Sequence, residues 1–251
     1  MTTPKRKTNS RSSSQALSRV RLLLGDQAMD ALRHASVIIC GVGGVGSWAA
    51  EALARSGVGQ ITLVDFDKIV SSNINRQAHA TRLTLGRRKT GAMKERLETL
   101  GTGTIVRTIT AHLTPNDVAP FLDAHPCTAV IDAIDERPTK LQLLQECVQR
   151  QIPVVASMGA ASKRSSDGIT AADISQTIGC PLAKLVRKEL RRRGITTGIQ
   201  CVFSPTQPQD TVGEPLDNQG QRRPLGSIMT VTAAFGLRCA EEILRIITED
   251  K

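Results

Sequence analysis

A glycine-rich loop in the first quarter of the sequence has the setting of a phosphate-binding loop. Gly41, Gly43, Gly44 and Gly46 follow a short β-branched run and precede an Ala-rich segment. At such a strand–loop–helix junction, backbone N–H groups and the helix dipole attract phosphate oxygens, and glycine permits close approach. Asp65, at the end of the next apolar run, is placed to accept a hydrogen bond from a ribose hydroxyl. These residues indicate nucleotide binding, and a nicotinamide-dependent dehydrogenase fits them equally well.

The residues after Asp65 favour phosphate chemistry over hydride transfer. Arg76 and Lys89 can stabilise the negative charge that builds up when an α-phosphate is attacked, whereas hydride transfer has little use for such cations. Asp135 ends another predicted strand on the same edge of the sheet, where a carboxylate can hold a Mg²⁺ ion that bridges phosphates. Further polar residues lie between these positions: Asp67, Ser72 and Asn73.

Strand and helix patterns alternate along the chain. Period-two or β-branched runs predict strands at residues 36–40, 60–65, 104–110, 129–132, 153–157, 169–174 and 199–203. Helical patterns lie at residues 47–55, 87–100, 138–150, 181–193 and 227–247, and a further helix begins at Thr114 with Pro115 in its first turn. This order predicts an α/β fold, a doubly wound, mostly parallel Rossmann-type sheet with helices on both faces.

The chain divides by composition into a tail and two halves of one domain. Residues 1–16 are polar, basic and Ser-rich and are expected to be mobile. Residues 17–160 carry the nucleotide motifs, and residues 161–251 are expected to form a smaller substrate-binding half. Residues 205–226, rich in proline and glutamine, are expected to be a mobile surface loop.

The net charge of +10 is concentrated in two places. One is the acid-free stretch 1–21, and the other is the predicted helix 181–193, where basic residues recur along one side: Lys184, Lys188, Arg191 and Arg192. Concentrated cations favour a polyanion such as a nucleic acid as partner, although a solvated helix face and a transit peptide at the N-terminus are open alternatives.

Cysteine spacing and hydropathy indicate which kind of compartment the protein occupies and whether it crosses a membrane. The six cysteines stand far apart with no C-x-x-C pair, so no zinc site is expected and a reducing cytoplasm fits best. The roles of Cys180 and Cys201 stay open. No apolar run is long enough to span a bilayer, which predicts a protein without an integral membrane segment.

The combined motifs resemble the E1-like superfamily of ThiF, MoeB and ubiquitin-activating enzymes. The resemblance rests on the glycine loop, Asp65-Phe66-Asp67, the S-N-x-x-R-Q pattern at 72–77, Lys89 and the later Asp135, within about residues 17–160. It implies ATP and Mg²⁺ as cofactors, with Asp65 on the ribose, Asn73, Arg76 and Lys89 on the triphosphate, and Asp135 at the metal. Asp67 and Ser72 belong to the same nucleotide-binding set, although Asp67 could also be a simple strand-end cap.

The same resemblance bears on assembly and substrate. Arg19 resembles the family arginine that reaches the triphosphate of the neighbouring subunit, so a homodimer is implied. Segments such as Asp132-Ala133-Ile134-Asp135 and Cys201-Val202-Phe203-Ser204 are most similar to the tRNA threonylcarbamoyladenosine dehydratases. That subgroup implies ATP-driven ring closure of N6-threonylcarbamoyladenosine (t6A) at position 37 of tRNA, through an acyl-adenylate. The basic helix would then hold tRNA phosphates.

Two other functions fit parts of the sequence. One is adenylation of a ubiquitin-like sulfur-carrier protein, which would favour zinc-binding cysteines. The other is a non-catalytic nucleotide-binding Rossmann protein. A sulfur-acceptor, CsdE-like protein is a further partner that the resemblance allows.

Overall fold

A computed structural model describes residues 15–208 and 225–249. Seven strands form one sheet in the order β3-β2-β1-β4-β5-β7-β6, and all neighbours are parallel except the edge pair β6–β7. The strands are β1 (Ser36–Cys40), β2 (Gln60–Val64), β3 (Ile105–Ile109), β4 (Ala129–Asp132), β5 (Val154–Ser157), β6 (Thr170–Asp173) and β7 (Gln200–Phe203). The predicted α/β fold with a mostly parallel sheet is confirmed.

Helices cover both faces of the sheet. The helices are α1 (Ser18–His34), α2 (Gly46–Ser56), α3 (Lys89–Glu98), α4 (Val118–Ala124), α5 (Arg137–Gln149), α6 (Pro181–Arg192) and α7 (Met229–Glu249). One buried cluster joins α1, α2, α3 and α7 to one face, and a second joins α4, α5 and α6 to the other. Helix α7 packs closely on α2, because an added Cβ at Gly236 would lie 2.4 Å from the carbonyl oxygen of Val45.

The structure differs from the predicted elements most clearly in three places. Helix α1 was not predicted; it buries few side chains, and Gly25 (φ 81°) interrupts it with non-helical geometry. The helix expected from Thr114 begins as a 3₁₀ turn, Pro115–Asp117, before α4. The helix expected from residue 87 starts at Lys89, because Arg88 has extended backbone. Most of the tail and residues 209–224 of the predicted loop lie outside the described residues.

No helix in the described part of the chain is both long enough and apolar enough to span a bilayer.

Candidate nucleotide site

The four loop glycines do different jobs at the carboxyl end of β1. Gly41 has φ 90°, and a Cβ there would lie 2.5 Å from the carbonyl oxygen of Ala133, while a Cβ at Gly46 would lie 1.9 Å from the carbonyl oxygen of Gly41. A side chain at either position would overlap the backbone, so both positions must be glycine. A Cβ at Gly43 would meet nothing nearer than Gln77 Nε2 at 3.9 Å, so Gly43 leaves open space above the loop. Gly44 lies under the side chain of Arg76.

Asp65 braces the loop from the end of β2. Its Oδ2 accepts a hydrogen bond from the backbone N–H of Val42 at 2.7 Å, and its Oδ1 accepts one from the N–H of Asp67 at 2.8 Å. A carboxylate offers about four lone-pair positions, so two remain for another donor such as a ribose hydroxyl. Asp65 therefore fixes the glycine loop whether or not it also contacts a ligand.

Lys89 lies at the first position of α3 and is almost fully buried. Its Nζ donates to Asp67 Oδ2 at 2.6 Å and lies 4.0 Å from Asp65 Oδ1. Asp67, nearly half exposed, is thus an ion-pair partner of Lys89 and more than a strand-end cap. The arrangement places a buried cation next to the loop, where an incoming phosphate could replace or join Asp67.

The S-N-x-x-R-Q segment is a tight turn that aims Arg76. The Oδ1 of buried Asn73 accepts from the N–H of Val70 at 3.1 Å, which closes the turn. Arg76 Nη1 donates to the carbonyl oxygen of Ser72 at 2.7 Å and to Asn75 Oδ1 at 2.8 Å. Trp48 Nε1 donates to the carbonyl oxygen of Arg76 at 2.9 Å. The aliphatic part of the Arg76 side chain therefore lies over Gly44, and its guanidinium is anchored by contacts within its own turn.

A buried ion pair lies beneath Asp135. Asp132 and Lys140 both have fully buried side chains, and Lys140 Nζ donates to Asp132 Oδ2 at 2.5 Å and to the carbonyl oxygen of Ser157 at 3.1 Å. Asp132 Oδ1 also accepts from the N–H of Ile134 at 3.1 Å. Burial raises the pKa of the Asp132 carboxyl, and the Lys140 ammonium opposes that shift. The pair joins β4, β5 and α5 and fixes the turn that presents the exposed Asp135.

Asn75 connects this segment to the C-terminal part of the chain. Its Nδ2 donates to the carbonyl oxygen of Ser227 at 2.9 Å, just before α7. The carbonyl oxygen of Gly226 accepts from the N–H of Ser162, in the loop after β5, at 2.8 Å. No role was predicted for Asn75, Lys140 or Ser162, because each acts through a contact that depends on how the elements pack.

The basic residues of α6 lie on its outer face. Lys184, Lys188, Arg191 and Arg192 are all exposed, whereas Ala183, Val186 and Leu190 are buried. Arg192 pairs with Glu189 at 2.8 Å. The start of α6 lies next to the end of β5, because a Cβ at Gly159 would be 3.7 Å from Cys180 Sγ. The basic face therefore leads away from the edge that carries the glycine loop.

Arg19 is not brought to the site of its own chain. Leu17 packs against Gly57, at the end of α2 opposite the glycine loop. Eleven helical residues span about 16 Å. Arg19, two residues after Leu17, is thus at the wrong end of α2 to meet a phosphate bound at Gly43.

The cysteines are free thiols, and Cys180 and Cys201 are both buried. Burial raises the pKa of the Cys201 thiol. Within residues 15–208 and 225–249, no group of three or more His, Cys, Asp or Glu side chains is arranged to hold a metal ion.

A model of the ThiF family matches residues 15–251. The chain belongs to the ThiF family. Within the family it is 43% identical over 191 residues to the tRNA threonylcarbamoyladenosine dehydratase of Bacillus subtilis, a match that covers 76% of this chain and 75% of that relative. The crystal structure of the Escherichia coli tRNA N6-threonylcarbamoyladenosine dehydratase TcdA in complex with ATP superposes with a TM-score of 0.85. It is 33% identical, and the alignment covers 96% of both chains.

Another branch of the ThiF family matches less of the chain. The molybdopterin-synthase adenylyltransferase of Escherichia coli is 32% identical over 132 residues, which is 53% of this chain and 51% of that relative. The likeness to the dehydratases thus extends over much more of the chain than the likeness to this adenylyltransferase.

Proposed function

We propose that this protein is an ATP-dependent tRNA t6A dehydratase, which converts the threonylcarbamoyl group on adenosine 37 into a cyclic product. The observation that carries the proposal is the match to dehydratases along the chain, including the C-terminal part where a substrate would be selected. The structure adds a suitable arrangement, with the nucleotide loop and the start of a basic helix at one edge of the sheet.

The reaction has two steps that this site can serve. A carboxylate oxygen of the threonyl group attacks the α-phosphorus of ATP, the bond to the β-phosphate oxygen breaks, and pyrophosphate leaves. A ureido nitrogen of the same group then attacks the acyl carbon, loses its proton, and expels AMP as the ring closes. The attack is intramolecular and benefits from a high effective molarity, so no enzyme thiol is needed.

The residues of the nucleotide edge have separate tasks in the first step. The loop at Gly43 receives the nucleotide, and Asp65 accepts from a ribose hydroxyl. Arg76 and Lys89 stabilise the charge that develops on the α-phosphate and on the leaving pyrophosphate. Because Arg76 is already fixed by Ser72 and Asn75, little reorganisation opposes catalysis.

Asp135 fits a magnesium ion. Mg²⁺ in nucleotide enzymes is often held by one or two carboxylates together with phosphate oxygens, so a lone exposed aspartate is sufficient on the protein side. The ion would neutralise phosphate charge, and Asp135 would supply the protein ligand.

A homodimer completes the site. Arg19 lies at the far end of α2 from the glycine loop of its own chain, so its target phosphate belongs to a second copy. The neighbouring Leu22 and Leu23 are 79% and 83% exposed, which supplies an apolar surface for association. Mixing Arg19→Ala with Arg76→Ala protein should restore activity above that of either variant alone, because mixed dimers contain one intact site. No gain on mixing would refute sharing in trans.

The exposed cations of α6 hold tRNA phosphates. Their charge supplies affinity without sequence information, and RNA bound along this face would reach the nucleotide edge at the helix start near Gly159.

The test is pyrophosphate release from ATP and Mg²⁺ with t6A-containing tRNA, with the same tRNA lacking the modification, and with a sulfur-carrier protein. Release only with t6A tRNA, together with the loss of one water from the modified nucleoside, is expected. Release only with the carrier would assign the substrate of the adenylyltransferase branch, and release with neither would leave a nucleotide-binding protein.

A further inference from the structure

Lys163 is a buried cation that the reaction above does not use. It lies in the loop after β5 and is only 4% exposed. Its Nζ donates to the carbonyl oxygen of Thr206, a neutral partner, and within the described residues it forms no ion pair. A lysine ammonium has three donors and a full charge, and buried charges are ordinarily paired. With a single neutral acceptor, two of the three ammonium hydrogens and the positive charge have no matching partner among the described residues.

The position of Lys163 relates it to the nucleotide edge. Strands β5 and β7 are parallel neighbours, so the loops that follow them, at 158–163 and 204–206, lie at the same edge of the sheet. The N–H of Ser162, the residue before Lys163, donates to the carbonyl oxygen of Gly226. The next residue, Ser227, accepts from Asn75, which in turn holds Arg76. A short series of contacts thus links the loop of the buried Lys163 to Arg76 at the glycine loop. Lys163 itself belongs to the expected substrate-binding half.

The loop segment just before Lys163 is built of small residues. Gly159, Ala160 and Ala161 lead into Lys163 with small side chains, and Cys180 and Leu182 border Gly159. Burial lowers the pKa of the Lys163 ammonium, an effect that an anion at the same place would reverse.

We propose that the Lys163 ammonium binds the threonyl carboxylate of the tRNA substrate and holds it for attack on the α-phosphate. The inference rests on the proposed function and assigns a specificity-determining residue to it. The carboxylate is an anion before the first step and an uncharged acyl group after it. A cation at this position therefore selects the unreacted substrate and binds it less tightly once the acyl-adenylate has formed.

The test pairs a change in the protein with a change in the substrate. Three anticodon stem-loops are compared with a non-cleavable ATP analogue at fixed salt: one bears t6A, one bears its methyl ester, and one is unmodified. Wild-type protein should bind the acid about tenfold more tightly than the ester, the effect of a charge-assisted hydrogen bond. Lys163→Met should bind both equally, and Lys163→Arg should retain most of the preference. Arg164→Met, a change at the exposed neighbour, should keep the wild-type ratio.

The outcomes distinguish a failure of the Lys163 inference from a failure of the proposed function. If Lys163→Met keeps the wild-type ratio, the ammonium serves a backbone phosphate, another group of this chain or the loop alone, and the inference is wrong. If wild-type protein does not distinguish a t6A stem-loop from an unmodified one, the proposed function itself fails. Thermal melting of each variant shows that it is folded, and Lys163→Arg gives a second reading should Lys163→Met be unstable.

Discussion

The nucleotide edge and the basic face of α6 are both rich in charge, but they hold it in opposite ways. At the nucleotide edge, Lys89 and Lys140 are buried and each is paired with an aspartate at 2.6 Å or less. On α6, Lys184, Lys188 and Arg191 are exposed, and within the described residues they form no ion pairs. Buried pairs fix geometry, and removing one partner leaves an uncompensated charge, whereas exposed cations act at longer range and are screened by salt. The charges of the first region are fixed in place, and those of the second are free to move in solvent.

The largest effect is expected from breaking the buried pair. Asp132→Ala leaves the Lys140 ammonium without its partner and should lower the free energy of unfolding by about 3–5 kcal/mol. Removing both charges with Asp132→Asn and Lys140→Met should cost much less. On α6, Glu189→Ala, which removes the exposed partner of Arg192, should change stability by less than about 1 kcal/mol. Urea denaturation of the three proteins measures these changes. Equal losses in the free energy of unfolding for Asp132→Ala and Glu189→Ala would contradict the contrast between buried and exposed ion pairs.

Arg76 should show the largest catalytic effect. Arg76→Ala removes a preorganised cation and is expected to lower kcat for pyrophosphate release about 10²–10³-fold with little change in melting temperature. Arg82→Ala, at an exposed position of the neighbouring 3₁₀ turn, is the matched control and should keep wild-type rates. A large rise in KM with an unchanged kcat would instead make Arg76 a ground-state binding residue.

His79, near the nucleotide edge, makes the stability of the fold depend on pH. It is 2% exposed, neither ring nitrogen has a hydrogen-bond partner among the described residues, and Lys89 and Arg96 are near. Burial, with a smaller contribution from these cations, lowers the pKa of His79 from 6.5 to about 4. Between about pH 6.5 and 4, His79 is therefore protonated in the unfolded chain but stays neutral in the folded chain. Stability should be complete above pH 6.5 and fall by about 3 kcal/mol as the pH drops to 4.

Unfolding of wild type and His79→Gln across this pH range isolates that contribution. The variant should lack the His79-dependent part of the fall between pH 6.5 and 4. Parallel curves for the two proteins would mean that His79 titrates normally in the folded state.

The strand ends and the glycine loop of the nucleotide edge could be predicted from the sequence, whereas helix α1 could not. Strand ends and a glycine loop dictate where Gly43, Asp65 and Asp135 must lie, so spacing along the chain translates into position. Helix α1 escaped prediction because it buries mainly Met29 and Leu32 and exposes Leu22 and Leu23. Its apolar residues therefore do not form the continuous stripe that marks a helix packed on a core.

The contacts that tune the site were beyond sequence reasoning for a different reason. Asp132 was singled out in the sequence as part of a segment similar to the dehydratases, yet it is the buried partner of Lys140, one helical turn inside α5. The Asn75–Ser227 contact joins residues 152 positions apart. Lys163 has an ordinary polar setting in sequence, between Ser162 and Arg164, and only the packing of two loops buries it. Such pairings depend on tertiary structure and leave no local pattern.

The smallest single effects are expected on α6. Exchanging Lys184, Lys188, Arg191 or Arg192 for glutamine one at a time should weaken tRNA binding modestly and reduce the slope of log affinity against log salt by about one. Exchanging all four should reduce the slope by about three to four and leave ATP binding unchanged, because none of them contacts the nucleotide edge. Arg187 is the matched control within the same helix, since its guanidinium turns inward to the carbonyl oxygen of Thr177 at 2.6 Å. A slope that falls as much for Arg187→Gln as for Lys188→Gln would show that the helix acts through its structure and not through its exposed charge.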